Sequence, residues 1–425
     1  MSDSKLAKKL NVLDLFLLAL GYIIGAGIFI LINKTSKYAK NNTWISFLIA
    51  GLFSILNIIS YIELSSVFKS NKSEYDYVST TFGKHIGFIV AIMLVFIYIL
   101  TNTTVALGIG EYIKQIFGFG KYYVAIAIII FFTFINIIGV KESSNFNALS
   151  TIIETLGLLV IIVAGLFYIN SSNNNTNLSN NSKNNNTNLS NFIINNLDTL
   201  KNTFYGSFIA MFAYSGFETT VKLIEEAENP EKDIPIALGG SIGVAIILYI
   251  LISYVIIKIK GHKQVANTFT PIADVARILF NSKIAHIFSF IAIISIINTV
   301  LVSILGGSRL LHSISNEYDF MKIFTNVNDS THTPIIAICF IGLLSLLLLS
   351  IKKVEKAAVY TNYLFFSVLL LVNISLFFMH FNPKYKDQFN NCIVKDINKN
   401  FPIIPLLASI MCFVALIFAV FFNKY

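Results

Sequence analysis

The sequence predicts an all-α polytopic membrane protein with about eleven transmembrane helices. Composition and run length predict it. Of the 425 residues, 55% are apolar and 12% charged, and mean hydropathy is +0.73. Soluble domains carry roughly 25% charged residues, so this chain cannot clothe a water-facing surface of its size. The apolar residues also form continuous runs of about twenty, enough to cross a bilayer core roughly 30 Å thick, without the alternation of a barrel strand. A cytosolic globular enzyme, a disordered chain and a collagenous chain are excluded together.

The spans fall at 12–32, 45–68, 86–113, 122–140, 146–169, 202–223, 236–258, 285–311, 334–351, 357–380 and 402–422. The first has no small-residue cleavage site and ten more follow, so it is a span and not a signal peptide. With residues 1–11 inside, about 15 basic residues face inward and about 16 outward, so the positive-inside rule does not orient the chain. The +9 charge comes from 29 Lys and 2 Arg against 22 acids. No basic cluster is interleaved with aromatics, so no nucleic-acid partner is expected. Cys339, Cys392 and Cys412 are too few and scattered for a disulfide framework or a zinc site. The six histidines show no i, i+4 pair, and no metal is expected.

The long hydrophilic segment, 170–201, repeats the octet NNNTNLSN at 173–180 and 184–191. Such a run buries too little apolar area to offset its ordering entropy and reads as a disordered loop. Its N-x-S/T sequons, at Asn170, Asn174, Asn177, Asn180, Asn185 and Asn188, either accept glycans or arise automatically from the repeat. Between spans seven and eight, Thr270-Pro271 followed by IADVARILF reads as a short capped amphipathic helix at the surface. A polar stretch at 381–401 precedes the last span.

Two spans carry interruptions. Span one reads LGYIIGAGIFIL, with Gly21, Gly25 and Gly27 inside an apolar helix. Such glycines serve close helix packing or mark a mid-membrane break. Span six carries Ala213-Tyr214-Ser215-Gly216 at mid-span, and it holds the place in a second set of five that span one holds in the first. Paired interruptions at corresponding positions of two repeats point to a transporter's substrate site. Broken ends supply N–H groups and a positive dipole end for a carboxylate, and unwound carbonyls suit an ammonium group. An α-amino acid carries both.

These stretches resemble the amino acid–polyamine–organocation transporter superfamily, most closely its cationic amino acid transporter branch and bacterial amino acid permeases. The resemblance lies in LGYIIGAGIFIL (20–31), ISFLIAGLFSILNIISYIELSS (45–66), YILTNTTVALGIGEYI (98–113), AYSGFETTVKLIEEAENPEKDIPIAL (213–238), SRLLHSISNEYDF (308–320) and TPIIAI (333–338). It covers spans one to ten and implies two inverted five-helix repeats, 12–169 and 202–380, with helices one and six discontinuous and substrate between them. It also places the N-terminus in the cytoplasm. Residues 381–425 add a loop and one extra helix, where members of that branch usually carry more spans. The loop after span two, FKSNKSEYDYV, keeps Tyr75 and Tyr77 but has Lys69 and Lys72 where the family usually has Pro and Gly.

On this resemblance, amides around Ile24, Gly25, Ala26 and Gly27 hold the carboxylate. Carbonyls near Phe212, Ala213 and Ser215, next to Gly216, hold the ammonium. Phe212 and Tyr214 either close over substrate or pack. Asn102, Thr103 and Thr104 form a polar patch on span three. The threonines can satisfy themselves on their own helix, which leaves Asn102 as the better binding candidate. Glu154, in span five where relatives often carry Lys, is either a proton-coupling carboxyl or a partly wetted acid near a helix end. Glu63 reads as structural, Glu218 as a hydrogen-bonding or orienting group beside the helix-six break, and Arg309 as part of a structural ion pair.

The expectation is a secondary transporter of α-amino acids, working by alternating access, with H+ coupling favoured over Na+. Sodium would need oxygens from spans one and eight, where Asn298, Thr299 and Ser303 are available. A transport-inactive sensor or partner subunit with the same fold is the alternative. The intramembrane acids are dispersed, which argues against an enzyme.

Overall fold

A computed structural model of the chain describes residues 10–138, 141–176, 189–224, 227–331, 333–389 and 401–422. Its helices in chain order are α1 (Val12–Ala39), α2 (Thr43–Val67), α3 (Glu74–Phe82), α4 (Lys84–Phe117), α5 (Lys121–Ile138), α6 (Lys141–Thr176), α7 (Leu189–Tyr214) and α8 (Phe217–Val221). They continue with α9 (Pro230–Lys260), α10 (His262–Ala266), α11 (Pro271–Leu279), α12 (Ser282–Ser315), α13 (Ile335–Leu348), α14 (Val354–Met379), α15 (Pro383–Phe389) and α16 (Ile403–Phe422). Eight helical stretches are long and apolar enough to cross a membrane, and one of them, Val12–Val67, holds both α1 and α2. The shorter apolar α13 and the helix α7 occupy the two remaining expected spans, so each of the eleven has its helix.

Local chemistry sets the helix ends. Asn11 caps α1, accepting from the amides of Leu13 at 2.9 Å and Asp14 at 3.0 Å, while Asp14 accepts from the Asn11 amide at 3.1 Å. This reciprocal box satisfies donors the first turn leaves unpaired. Pro230 opens α9, where a missing N–H costs nothing. Asn281 caps α12 through the Ile284 amide at 3.0 Å.

The segment between spans five and six differs at its ends from the expected loop. Helix α6 runs to Thr176 and α7 starts at Leu189, so Asn170 and Asn174 sit in helical backbone. The other four sequons lie outside the described residues. The expected helix after Thr270 is present as α11, but its first turn is not capped by the Thr270 side chain. That hydroxyl instead accepts from Gln115 at 2.9 Å, and Pro271, Ile272, Ala273, Val275 and Ala276 are buried. Asn33 donates to the Thr268 carbonyl at 2.7 Å and Lys260 pairs with Asp274, so this loop is fastened to the ends of α1, α4 and α9.

The packing pattern is two-fold. Pairing α1 with α7, α2 with α9, α4 with α12, α5 with α13 and α6 with α14 maps one five-helix set onto the other. Under that mapping, α1 on α9 is matched by α7 on α2, α4 on α14 by α12 on α6, and α4 on α13 by α12 on α5. The loop helices follow the same rule: α3 on α4 is matched by α11 on α12, and α3 on α14 by α11 on α6. Five spans are an odd number, so the second set enters from the opposite side and α3 and α11 lie on opposite faces.

Helix α1 is buried along most of its length, packed against α6, α7, α9 and α12. The outer helices expose large apolar side chains, among them Phe131 and Phe134 on α5, Leu156 and Val163 on α6, and Phe413 and Val420 on α16. Such a surface is stable facing lipid and not water. The chain is an integral, multi-pass membrane protein.

Candidate functional site

Both expected breaks are present. Gly25 leaves helical geometry in the middle of α1, with φ 4° and ψ −124°. The second break lies between α7 and α8, where Gly216 has φ +112°. L-residues avoid that region, and a Cβ on Gly216 would also stand 2.0 Å from the Tyr22 ring, so glycine is required twice over. Gly27 lets the two broken helices touch: a Cβ there would lie 2.5 Å from Ala213 Cα.

Each break frees backbone groups that need partners. The Ala26 amide donates to Thr299 Oγ1 at 2.8 Å, and Ser295 Oγ donates to the Gly25 carbonyl at 2.9 Å. Ser215 Oγ donates to the Phe212 carbonyl at 2.7 Å, and the Gly216 amide donates to Glu218 Oε2 at 2.8 Å. Glu218 therefore caps the helix that restarts after the break.

The two breaks meet at one side chain that the sequence reading did not single out. The Tyr249 hydroxyl, from α9, lies 2.5 Å from the Ile23 carbonyl, 3.3 Å from that of Ile24 and 3.0 Å from that of Ala213. A phenol has one proton, so three carbonyl oxygens from both broken helices converge on a single donor. Span seven carries two tyrosines, Tyr249 and Tyr254, in a mostly aliphatic run, and the more central of them was the available signal. The Tyr249 ring packs on Tyr214 at 4.9 Å and on Phe47 at 5.7 Å. Tyr214 itself is fully buried, with its hydroxyl donating to the Phe47 carbonyl at 2.9 Å.

On α4, Thr103 and Thr104 bond the carbonyls of Ile99 at 2.9 Å and Leu100 at 2.7 Å, one helical turn back. Asn102 is fully buried and neither amide atom has a hydrogen-bond partner. It lies one turn along the same face from Tyr98, whose hydroxyl is 3.1 Å from Thr219 Oγ1 on α8. Asn298, Thr299 and Ser303 turn to three different helices: Asn147 of α6, Ala26 of α1 and Tyr98 of α4.

Glu154 is buried, beside Ser295 and near Tyr249, with neither carboxyl oxygen in a hydrogen bond. It thus stands behind the α1 break, one side chain away from the Gly25 carbonyl. Glu63 Oε1 lies 2.8 Å from His380 Nε2. Arg309 lines a small cavity with Leu18 of α1, Thr219 and Thr220 of α8, and Leu305 of α12. Sequence reading also passed over Lys222 and Glu74, which form a buried ion pair at 2.9 Å. Lys222 lies at the end of a stretch read as a span terminus, where a lysine is ordinary.

An all-α membrane bundle of two inverted repeats, each opened by a broken helix and joined at those breaks, is the architecture of a secondary transporter. The chain belongs to the amino acid permease family, which it matches over residues 10–424. It is 24% identical over 431 residues to the branched-chain amino acid permease BcaP of Bacillus subtilis (strain 168), covering 96% of this chain and 88% of that protein. It is 27% identical over 354 residues to the methylthioribose transporter of the same organism, covering 78% and 73%. To the vacuolar cationic amino acid transporter 4 of Arabidopsis thaliana it is 27% identical over 360 residues, covering 80% of this chain and 58% of that longer protein. These relatives are transporters and not enzymes.

Proposed function

We propose that the chain moves α-amino acids across a membrane by alternating access, with the zwitterionic end of the substrate held between the α1 and α8 breaks. The convergence of the Ile23, Ile24 and Ala213 carbonyls on Tyr249 carries this reading. An ammonium group has three donors where the phenol has one, so it satisfies the same oxygens better. The carboxylate then faces the amides around Gly25, Ala26 and Gly27, with the Ala26 amide exchanging Thr299 for substrate. Asn102 offers an unused amide to the substrate side chain. Glu154 is the proposed proton carrier, through Ser295 and the Gly25 carbonyl. The branched-chain amino acid permease and the cationic amino acid transporter named above support amino acid substrates, of either side-chain class.

Uptake by purified protein in liposomes, across the twenty amino acids, tests the reading directly. Saturable uptake of at least one is expected. Folded protein that carries none would identify a transport-inactive member of the family.

Tyr249→Phe tests the ammonium position. It leaves three buried carbonyls without their donor, a loss of about 1–3 kcal/mol. The substrate-free protein should melt at a lower temperature, and substrate should raise the melting point more than in the parent, because its ammonium restores what the phenol supplied. An unchanged substrate shift would make the phenol a structural tie away from the substrate.

A further inference from the structure

Four ion pairs cross the N-terminal face of the bundle, three of them from the short segment 69–74. Lys69 and Lys72 lie in the loop after α2. Lys69 pairs with Glu231 in the first turn of α9, and Lys72 pairs with Glu317 just past α12. Lys84 Nζ lies 3.6 Å from the other Glu317 oxygen. Hydrogen bonds from Lys69 and Lys72 hold the carboxyls of Glu231 and Glu317 below the ordinary carboxylate range, so both carboxylates stay charged at neutral pH. Two residues beyond Lys72, Glu74 opens α3 and meets Lys222, which follows α8.

Burial separates these pairs into two kinds. The side chains of Lys222 and Glu74 are 1% and 0% exposed, whereas those of Lys69 and Glu231 are 50% and 72% exposed, and Lys72 and Glu317 are 27% and 25%. The buried carboxylate also accepts from Ser73 and, at 3.2 Å, from Tyr61, and Lys222 donates to the Glu218 carbonyl at 3.2 Å. Parting a buried pair strands a charge without solvent, so it does not come apart in a working cycle. An exposed pair contributes little and reopens readily.

We propose that Lys222 and Glu74 weld α8 to α3 and the preceding loop as one moving piece, and that Lys69–Glu231 and Lys72–Glu317 are the breakable latch holding that piece against α9 and α12. The cavity lined by Leu18, Thr219, Thr220, Lys222 and Leu305 lies directly beside α8, so releasing the latch opens it to the N-terminal face. Its role in a cycle rests on the transporter reading. Its test reads conformation, so it stands or fails whether or not amino acids are carried.

The test uses the full chain with Cys339, Cys392 and Cys412 changed to Ser and Leu305→Cys as a reporter in the cavity. Glu231→Gln with Glu317→Gln should raise the rate of maleimide labelling by about threefold or more, the effect of two weak pairs together. Raising salt from 0.05 to 0.5 M should speed labelling in the parent and not in this double variant, because exposed pairs are screened. Lys222→Met alone should destabilise or unfold the chain. Lys222→Met with Glu74→Gln should restore folding and keep the parent's salt-dependent rise in labelling, a ratio that cancels the loss of Lys222 from the cavity wall. Unchanged labelling in the Glu231/Glu317 variant overturns the latch. Loss of that salt response in the folded Lys222/Glu74 variant overturns the weld.

Discussion

Gly27→Val abolishes transport while the protein still inserts and folds well enough to purify. The first atom beyond the glycine would stand 2.5 Å from Ala213 Cα and 2.7 Å from Ala213 Cβ. A backbone atom cannot rotate away as a side-chain end can, so the two broken helices must separate. Overpacking of this kind costs about 1–3 kcal/mol in a well-packed core. Here it falls on the contact that sets the spacing of the two breaks. Gly25→Val should act through another neighbour, since its Cβ would meet the Thr299 hydroxyl at 2.0 Å and displace the group that holds the Ala26 amide. Substrate binding, followed by the melting temperature with and without amino acid, checks both variants. If either binds substrate like the parent, the carboxylate is held elsewhere.

The second large effect is expected at Glu154. Helix α6 packs on α1, α9, α11 and α12; the neighbours of the carboxyl include Tyr249 and Ser295, and no ion pair reaches it among the described residues. A carboxyl whose oxygens lack partners is tolerated there as the neutral acid, and it needs solvent or a counter-charge to ionise. Uptake into liposomes should therefore rise as external pH falls. Glu154→Gln imitates the neutral acid permanently, so the pH dependence should flatten. Uphill accumulation should then collapse toward equilibrium while exchange of substrate for substrate survives. Glu154→Ala should be worse, because it leaves a void as well, at a cost of about 2 kcal/mol or more. The measurement is uptake across an imposed pH gradient, with and without sodium. An unchanged pH profile in Glu154→Gln would remove this residue from coupling, and a strict sodium requirement would move coupling to a cation between α1 and α12.

The sequence by itself determined the architecture, because its cause is local. A span is a run of some twenty apolar residues, and nothing elsewhere in the chain is needed to recognise one. The two breaks were legible for a similar reason: Gly25 and Gly216 are needed where backbone leaves the helix or adopts φ +112°, and glycine is visible in any sequence. The self-satisfied Thr104 also follows from a bond within a single turn, whereas Thr103 shares its hydroxyl between Ile99 and the Ser345 carbonyl of α13.

Only the tertiary structure decided which groups those breaks meet. Tyr249 is 226 residues from Ile23 and 36 from Ala213, and its hydroxyl gains meaning when α9 crosses both helices. Lys222 and Glu74 are 148 residues apart, and each alone is an unremarkable charge near a helix end. Lys69 and Lys72 read in sequence as departures from a family loop, and become a latch once Glu231 and Glu317 lie opposite them. In a bilayer the cost of an unpaired polar or charged group makes its partner decisive, and partners at such separations are fixed by helix packing that no local pattern records.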